Sequence, residues 1–226
     1  MTLDDLVGTA SKKEAFTELQ HYVDFCKAFL AFIATPGAIQ AEIVSQNENH
    51  YKFIQFKNAG YCVSRPLNSK LLYTTKEAQE RLTQFLKTIS NIKAMDTPLN
   101  REIVNRSIYT IQQSIGACLD ALPAGQSNTA RKINGDLFER LIRLLLVEVG
   151  IECTSGVVNV PVQVDEVAEF SMSYQHDLII KSESLVKIIG SVKTSSKDRI
   201  DKIFIDKFLL ARLTGKKRPA CRHFFE

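Results

Sequence analysis

The stretch Tyr174–Arg199, YQHDLIIKSESLVKIIGSVKTSSKDR, holds two apolar segments that are separated by four polar residues. Segments of this length, rich in β-branched residues and joined by a short polar turn, predict an antiparallel hairpin. Asp177 opens the first strand and Lys193 closes the second, so the pairing brings both to one edge of the sheet. We therefore expect Asp177 and Lys193 to be neighbours, either in an ordinary cross-strand ion pair or in a site that uses both charges.

Predicted helices on either side of this hairpin carry further acidic residues. The helix before it holds Glu139 beside its apolar face, and a helix predicted over Arg199–Leu213 holds Asp206. Carboxylates are the ligands that Mg²⁺ prefers, and bound Mg²⁺ polarises a phosphate and lowers the pKa of an attacking water. A lysine orients that water and offsets developing charge. Asp177, Lys193 and one more acid therefore supply what phosphodiester hydrolysis needs.

The order of these elements resembles a known nuclease family. A helix of the pattern GxxFE (Gly135–Glu139), then strands, then an acid opening one strand and a lysine ending the next, is similar to the PD-(D/E)xK nucleases and, among them, to the type II restriction endonucleases. The similarity covers Ser127–Arg212. It implies an α+β fold with a mixed β-sheet flanked by helices. It also implies an Mg²⁺-dependent enzyme that cuts both strands of a palindromic DNA site as a homodimer and leaves 5′-phosphate ends.

The sequence departs from the common motif at Ser191, which stands two residues before Lys193 where the family usually has an acid. The family includes an SxK variant that takes its second acid from the following helix. Asp206, thirteen residues after Lys193, fits that variant and is the favoured metal ligand beside Asp177. Glu139 stays open as the ligand or as a supporting acid.

Three polar clusters are candidates for DNA contacts. In the SxK variant the lysine is followed by residues that read bases, and Lys197, Asp198 and Arg199 occupy that place, although a helix cap with two solvated cations explains them as well. The other two clusters lie before the Glu139 helix and near the C-terminus, where capping or a solvated turn is the alternative. Their members are Arg131, Lys132, Asn134, Lys216, Lys217 and Arg218.

The positive charge of the chain is concentrated toward its end. The whole chain carries a net charge of +4, whereas the part from Gly190 onward has ten basic against four acidic residues. A basic quarter on a nearly neutral body suggests a surface that faces a polyanion such as DNA. A solvated, lysine-rich helix would give the same count.

The pattern of apolar residues and breakers predicts two regions. Residues 1–126 form a mostly helical region that embraces DNA and carries the dimer interface, and residues 127–226 form the nuclease core, with Pro123–Asn128 as the break between them. The first region is predicted to contain helices over Lys12–Ala34, Thr75–Ile92 and Asn100–Leu122 and a hairpin over 51–65. The second is predicted to contain a helix from Asn128 or Thr129 to Val149, the Arg199–Leu213 helix and a last edge strand in RPACRHFF. Between the two helices we predict short strands in IECTSG, VVNVPVQV, AEFSMSY, DLIIKS and LVKIIGSVK.

Composition excludes several other classes of protein. The five cysteines include no CxxC pair, which argues against a disulfide framework and against a zinc site, and we expect them to be small buried residues. No apolar run approaches the length of a membrane span, and the N-terminus lacks the features of a signal peptide, so we expect a cytoplasmic protein without a membrane partner. Two alternatives remain, namely a repair or mobile-element nuclease of the same fold and an inactive DNA-binding module.

Overall fold

The computed structural model describes residues 1–57, 63–164, 167–182, 185–194 and 220–225. The chain divides into two compact units, Met1–Leu137 and Phe138–Glu226. The α-helices are α1 (Leu3–Ala10), α2 (Leu19–Ile33), α3 (Thr75–Ser90), α4 (Pro98–Leu119) and α5 (Ser127–Glu148). The β-strands are β1 (Ile39–Val44), β2 (Tyr51–Phe56), β3 (Leu67–Asn68), β4 (Thr154–Val164), β5 (Val167–Ser182), β6 (Leu185–Lys193) and β7 (Ala220–Phe225).

Three helices of the first unit, α1, α3 and α4, begin where the sequence supplies an N-terminal cap. The hydroxyls of Thr2 and Thr74 each accept a hydrogen bond from a backbone N–H three residues on, and Asp5 and Glu77 complete the capping boxes of α1 and α3. Thr97 caps α4, whose first residue is a proline. These contacts satisfy donors that the first turn of a helix leaves without partners. The predicted helices over Thr75–Ile92 and Asn100–Leu122 are thereby confirmed to within a turn.

The helix predicted over Lys12–Ala34 is wrong in its first turns. A 3₁₀ turn at Lys13–Ala15 and a bend precede α2. Phe16 is fully buried, and its ring lies 4.9 Å from that of Tyr22 and 5.5 Å from that of Phe25. In a continuous helix a residue nine positions on lies on roughly the opposite face, so the break lets Phe16 fold back onto α2.

The first unit also contains a three-stranded antiparallel sheet with the order β1-β2-β3. β2 pairs with the preceding β1, a strand that the sequence pattern did not predict. The predicted hairpin over 51–65 is described only in part, since 58–62 lie outside the described residues. An isolated antiparallel bridge does join Gln55 to Val63.

The predicted helix between the two regions is confirmed as α5. The boundary between the compact units falls inside this helix, after Leu137, rather than in the break before it. Within the first unit Tyr22 donates a hydrogen bond of 2.9 Å to the carbonyl of Leu137. In the second unit Arg143 donates to the hydroxyl of Ser155 in β4 at 3.1 Å.

The second unit contains a four-stranded mixed sheet with the order β4-β5-β6-β7. β4, β5 and β6 are antiparallel, and β7 runs parallel to β6. The strand predicted in RPACRHFF is confirmed as β7, which is last in this order among the described residues. The helix predicted over Arg199–Leu213 lies outside the described residues.

Two pairs of segments that were predicted as separate strands are in fact continuous. AEFSMSY and DLIIKS form one strand, β5, because Gln175 and His176 between them are polar but do not interrupt an extended backbone. The last three residues of IECTSG likewise join VVNVPVQV in β4, which begins at Thr154 and in which Gly156 adopts a φ of 152° at a shift in register. In the resulting long hairpin the end of β6 lies beside Asp177. Among the described residues no helix is both long and apolar enough to cross a bilayer.

Candidate active site

The site is built where the pairing between β5 and β6 ends. Leu178 pairs with Gly190 across this ladder, so the next step places Asp177 beside Ser191. Residues two apart on a strand share a face of the sheet, which puts Lys193 on the same side as Ser191. The alternate residue Val192 is 3% exposed. The strand thus presents its polar side chains on one face and anchors the other in apolar surroundings.

Asp177 accepts three hydrogen bonds from three consecutive residues of β6. Lys193 Nζ lies 2.6 Å from Asp177 Oδ2, the backbone nitrogen of Val192 lies 2.8 Å from it and the hydroxyl of Ser191 lies 3.0 Å from it. The side chains of Asp177 and Lys193 are 17% and 16% exposed. The expected proximity of Asp177 and Lys193 is therefore observed, in a half-buried and multiply bonded arrangement.

These contacts determine the charge state of Asp177. Burial by itself would raise the pKa of the Asp177 carboxyl, but the hydrogen bonds from Lys193, Val192 and Ser191 and the charge of Lys193 outweigh it and lower that pKa below its ordinary value of 3.8. Asp177 is therefore a carboxylate at neutral pH. A half-buried anion of this kind is a suitable ligand for a hard cation.

The donor set at Asp177 fits part of a divalent-cation site. Within the described residues, the hydrogen bonds of Asp177 all go to Oδ2, which leaves Oδ1 available as a hard oxygen ligand. One carboxylate does not complete such a site. No group of three or more His, Cys, Asp or Glu side chains that is suited to a metal occurs in the part of the chain that the structure describes.

The candidates for the second acid differ in how far the structure describes them. Asp206 lies outside the described residues. Glu139 lies on α5 within the second unit and is half-buried. Asp136, on the same helix but in the first unit, forms an ion pair with Lys13.

Most of the predicted DNA-contacting residues lie outside the described residues. These are Lys197, Asp198, Arg199, Lys216, Lys217 and Arg218. The other three lie on α5 in the first unit. Arg131 and Lys132 are exposed there. Asn134 is 2% exposed and accepts a hydrogen bond of 2.8 Å from Gln112. Its amide oxygen is therefore engaged inside the unit instead of facing solvent.

Sequence reasoning missed the part played by Ser191 and the Val192 backbone. Ser191 drew attention only because an acid was absent there, whereas its hydroxyl contacts Asp177 directly. No local signal would have found it, because a regular ladder from Ser182 and Leu185 would set Asp177 opposite Gly190, and the register shift between Ile180 and Lys181 sets it opposite Ser191. Asp177 and Ser191 take adjacent places at the end of an antiparallel hairpin, and residues in such places touch.

Comparisons with known proteins give a match at the level of structure. No protein-family profile and no curated protein matches the chain. Among solved structures, the crystal structure of the type IIP restriction endonuclease Kpn2I matches with a TM-score of 0.64 at 15% sequence identity. The match covers 99% of this chain and 74% of that one. The predicted mixed α+β fold with a helical N-terminal half is thereby confirmed, and the chain has the fold of a type II restriction endonuclease.

Proposed function

We propose that this protein is an Mg²⁺-dependent, sequence-specific endonuclease of the type II restriction class that cuts double-stranded DNA. The observation that carries the proposal is the half-buried pair of Asp177 and Lys193, 2.6 Å apart where the pairing of β5 with β6 ends. A carboxylate held beside an ammonium at this position suits phosphodiester hydrolysis. The structural likeness to a restriction endonuclease supports the same conclusion.

Asp177 and a second acid would hold Mg²⁺ in this proposal. Asp177 offers Oδ1, and Asp206 is the favoured second ligand, with Glu139 as the alternative. Bound Mg²⁺ supplies charge to polarise the phosphodiester and to lower the pKa of the attacking water. Asp177 is suited to this because its low pKa keeps it ionised at neutral pH without the ion.

Lys193 would act on the attacking water and on the phosphate. An ammonium has three N–H donors, one of which goes to Asp177 Oδ2, so two remain for the water and a non-bridging phosphate oxygen. Its positive charge offsets the negative charge that develops on phosphorus-bound oxygens. The water would give up one proton as it forms a bond to phosphorus, the bond between phosphorus and the 3′ oxygen would break, and that oxygen would take up a proton. The products are a 5′-phosphate end and a 3′-hydroxyl end.

Recognition would use the basic residues that follow the active-site lysine. Lys197, Asp198 and Arg199 are the candidates for base contacts, since Lys and Arg donate to guanine and a neighbouring acid fixes the arginine or accepts from an exocyclic amine. Arg131, Lys132 and the Lys216–Arg218 cluster are candidates for phosphate contacts. A two-fold homodimer would place one active site on each strand of a palindrome. Asn134 does not enter this proposal because it is buried.

One observation favours a different function, that of an inactive DNA-binding module. Ser191 replaces the acid of the common motif, and a protein that lacks its second metal ligand would bind DNA without cutting it. The proposed enzyme instead obtains that ligand from Asp206 or Glu139. The two functions make opposite predictions for DNA in the presence of Mg²⁺.

Digestion of phage DNA separates these functions. The purified protein is incubated with the DNA and Mg²⁺, with Asp177→Ala as the control that removes the proposed ligand. Discrete fragments that disappear in the control are expected. A continuous smear would show that the protein is a nuclease without sequence specificity. Intact DNA that is nonetheless tightly bound would establish the inactive module.

A further inference from the structure

Ser191 occupies a position from which it controls the orientation of the Asp177 carboxylate. Its hydroxyl donates to Oδ2 at 3.0 Å, and the neighbouring backbone N–H of Val192 donates to the same oxygen at 2.8 Å. The serine side chain is short and the Val192 donor is part of the backbone. Both belong to a paired strand, so these two donors have little freedom to move. Lys193 reaches the same oxygen from a flexible four-carbon stem. Ser191 and Val192 therefore define which carboxylate oxygen faces β6.

A carboxylate bound by the lysine alone could exchange its two oxygens by rotation of the terminal torsion, which has a broad, roughly two-fold energy profile. Two additional donors that converge on one oxygen oppose that rotation. The second oxygen, Oδ1, then keeps a constant direction. Fixing a ligand in its productive orientation before binding reduces the free-energy cost of binding.

The serine also removes a repulsion. An acid at position 191 would place a second carboxylate on β6 opposite Asp177 of β5, and like charges placed directly opposite each other destabilise a sheet. The serine hydroxyl replaces that repulsion with an attractive contact. Asp177 is thus held in place in the protein without a bound cation.

We propose that Ser191 is a positioning residue, whose hydroxyl orients Asp177 so that Oδ1 is presented to the divalent ion. This inference rests on the proposed function, because it assigns Asp177 as a metal ligand. It assigns a function to the serine that stands where the common motif has an acid. Ser191 itself contacts neither the metal nor the DNA in this role.

The test compares two side chains of nearly equal shape at position 191. The threonine of Ser191→Thr keeps the hydroxyl, whereas the valine of Ser191→Val has a methyl group where threonine has the hydroxyl. Both residues are common in strands. Mn²⁺ serves as the probe because its binding is followed by electron paramagnetic resonance without DNA and without turnover. We expect Ser191→Val to weaken Mn²⁺ binding about 10- to 100-fold, as is typical when a partner of a metal ligand is removed, and Ser191→Thr to retain the affinity.

Ser173→Val is the matched control. The Ser173 hydroxyl donates to Asn159 at 2.8 Å in the same sheet, so this change also removes one cross-strand hydrogen bond. It should leave Mn²⁺ affinity unchanged. Equal affinities in Ser191→Val and the wild type, or an equal loss in Ser191→Thr and Ser191→Val, would overturn the proposal. Should valine prevent folding, Ser191→Ala set against Ser191→Thr gives the same contrast.

Asp177→Asn distinguishes failure of this inference from failure of the proposed function. If Asp177→Asn binds Mn²⁺ as tightly as the wild type, Asp177 is not a ligand and the proposed site is wrong. If Asp177→Asn loses affinity while Ser191→Val does not, only the positioning role is wrong. In cleavage assays the valine variant should need a higher Mg²⁺ concentration while its affinity for DNA is retained, a separation that general loss of structure would not produce.

Discussion

Asp177 and Lys193 are sixteen residues apart in sequence, and Lys193 Nζ lies 2.6 Å from Asp177 Oδ2. We expect Asp177→Ala and Lys193→Ala each to lower the rate of DNA cleavage by at least about 10²-fold, since each removes a group that stabilises charge in the transition state. Lys193→Ala should keep much of its DNA affinity. Rates are measured on a plasmid substrate, and binding by gel shift in Ca²⁺.

Lys52→Ala is the control for this comparison. Lys52 forms an ion pair of similar length, 2.7 Å, with Glu42 in the other unit, where both side chains are considerably more exposed. Removing this pair should leave cleavage unchanged, because an exposed pair contributes little to stability and neither residue belongs to the proposed catalytic set. Full activity in Asp177→Ala or Lys193→Ala would refute the assignment.

The same pair makes a prediction about stability. Removing one charge from a half-buried pair leaves its partner poorly compensated, so Lys193→Met should lower the free energy of unfolding by about 1–3 kcal/mol. The double variant Asp177→Asn/Lys193→Met should lose less than the sum of the two single changes. Urea unfolding of the four proteins measures the coupling. Strict additivity would show that the two side chains do not stabilise one another.

The second acid is predicted to be Asp206. Asp206→Asn should reduce cleavage about 10²-fold or more and weaken Mn²⁺ binding, because Mg²⁺ needs more than one carboxylate ligand here. Glu139→Gln should have a smaller effect. Asp136→Asn is a suitable control, since this carboxylate lies one turn before Glu139 on α5 and is paired with Lys13. The reverse ranking of the Asp206 and Glu139 variants would make Glu139 the ligand.

Thiol reactivity tests the predicted burial of the cysteines. Burial raises the pKa of Cys26 to about 12 and, with a contribution from the charge of Asp120, that of Cys118 to about 12. Both thiols should therefore resist alkylation near pH 8, because the thiolate is the reactive form. Cys153 is half-buried, and burial raises its pKa despite the nearby charge of Arg143, so it should react sooner. Residue-resolved mass spectrometry of iodoacetamide adducts measures the order in which the three cysteines react. Prompt labelling of Cys26 would contradict its burial.

The parts of the fold that sequence predicted well depend on local signals. The proximity of Asp177 and Lys193 was predictable because a hairpin joins segments close in sequence. The register shift between Ile180 and Lys181, which sets the partner of Asp177, was not. The continuity of β5 was missed because polar residues in its middle look like a break, although polar side chains do not in themselves interrupt an extended backbone. The bend at Phe16 was also missed, since apolar spacing cannot reveal that a ring turns back onto α2.

Tertiary contacts of single polar side chains were least predictable. Asn134 reads as a polar residue near a helix start, yet its burial depends on Gln112, which is 22 positions away in the sequence. Likewise β1, IQAEIV, alternates apolar and polar residues as a strand does, but its partner β2 could not be identified from that segment. Such partners are set by the packing of whole elements, which the periodicity of a single segment does not encode.

Gly116 of α4 lies directly beneath the guanidinium of Arg65, and a Cβ atom there would overlap it. Asp120 holds that guanidinium through bonds of 2.9 and 3.1 Å, so Gly116→Ala should displace Arg65 and destabilise the protein by about 1–2 kcal/mol. In an Arg65→Ala background the clash is absent, and Gly116→Ala should instead stabilise by about 1 kcal/mol through helix propensity. Thermal unfolding of the four proteins tests this reversal of sign. Destabilisation of equal size in both backgrounds would mean that another group opposes the added methyl.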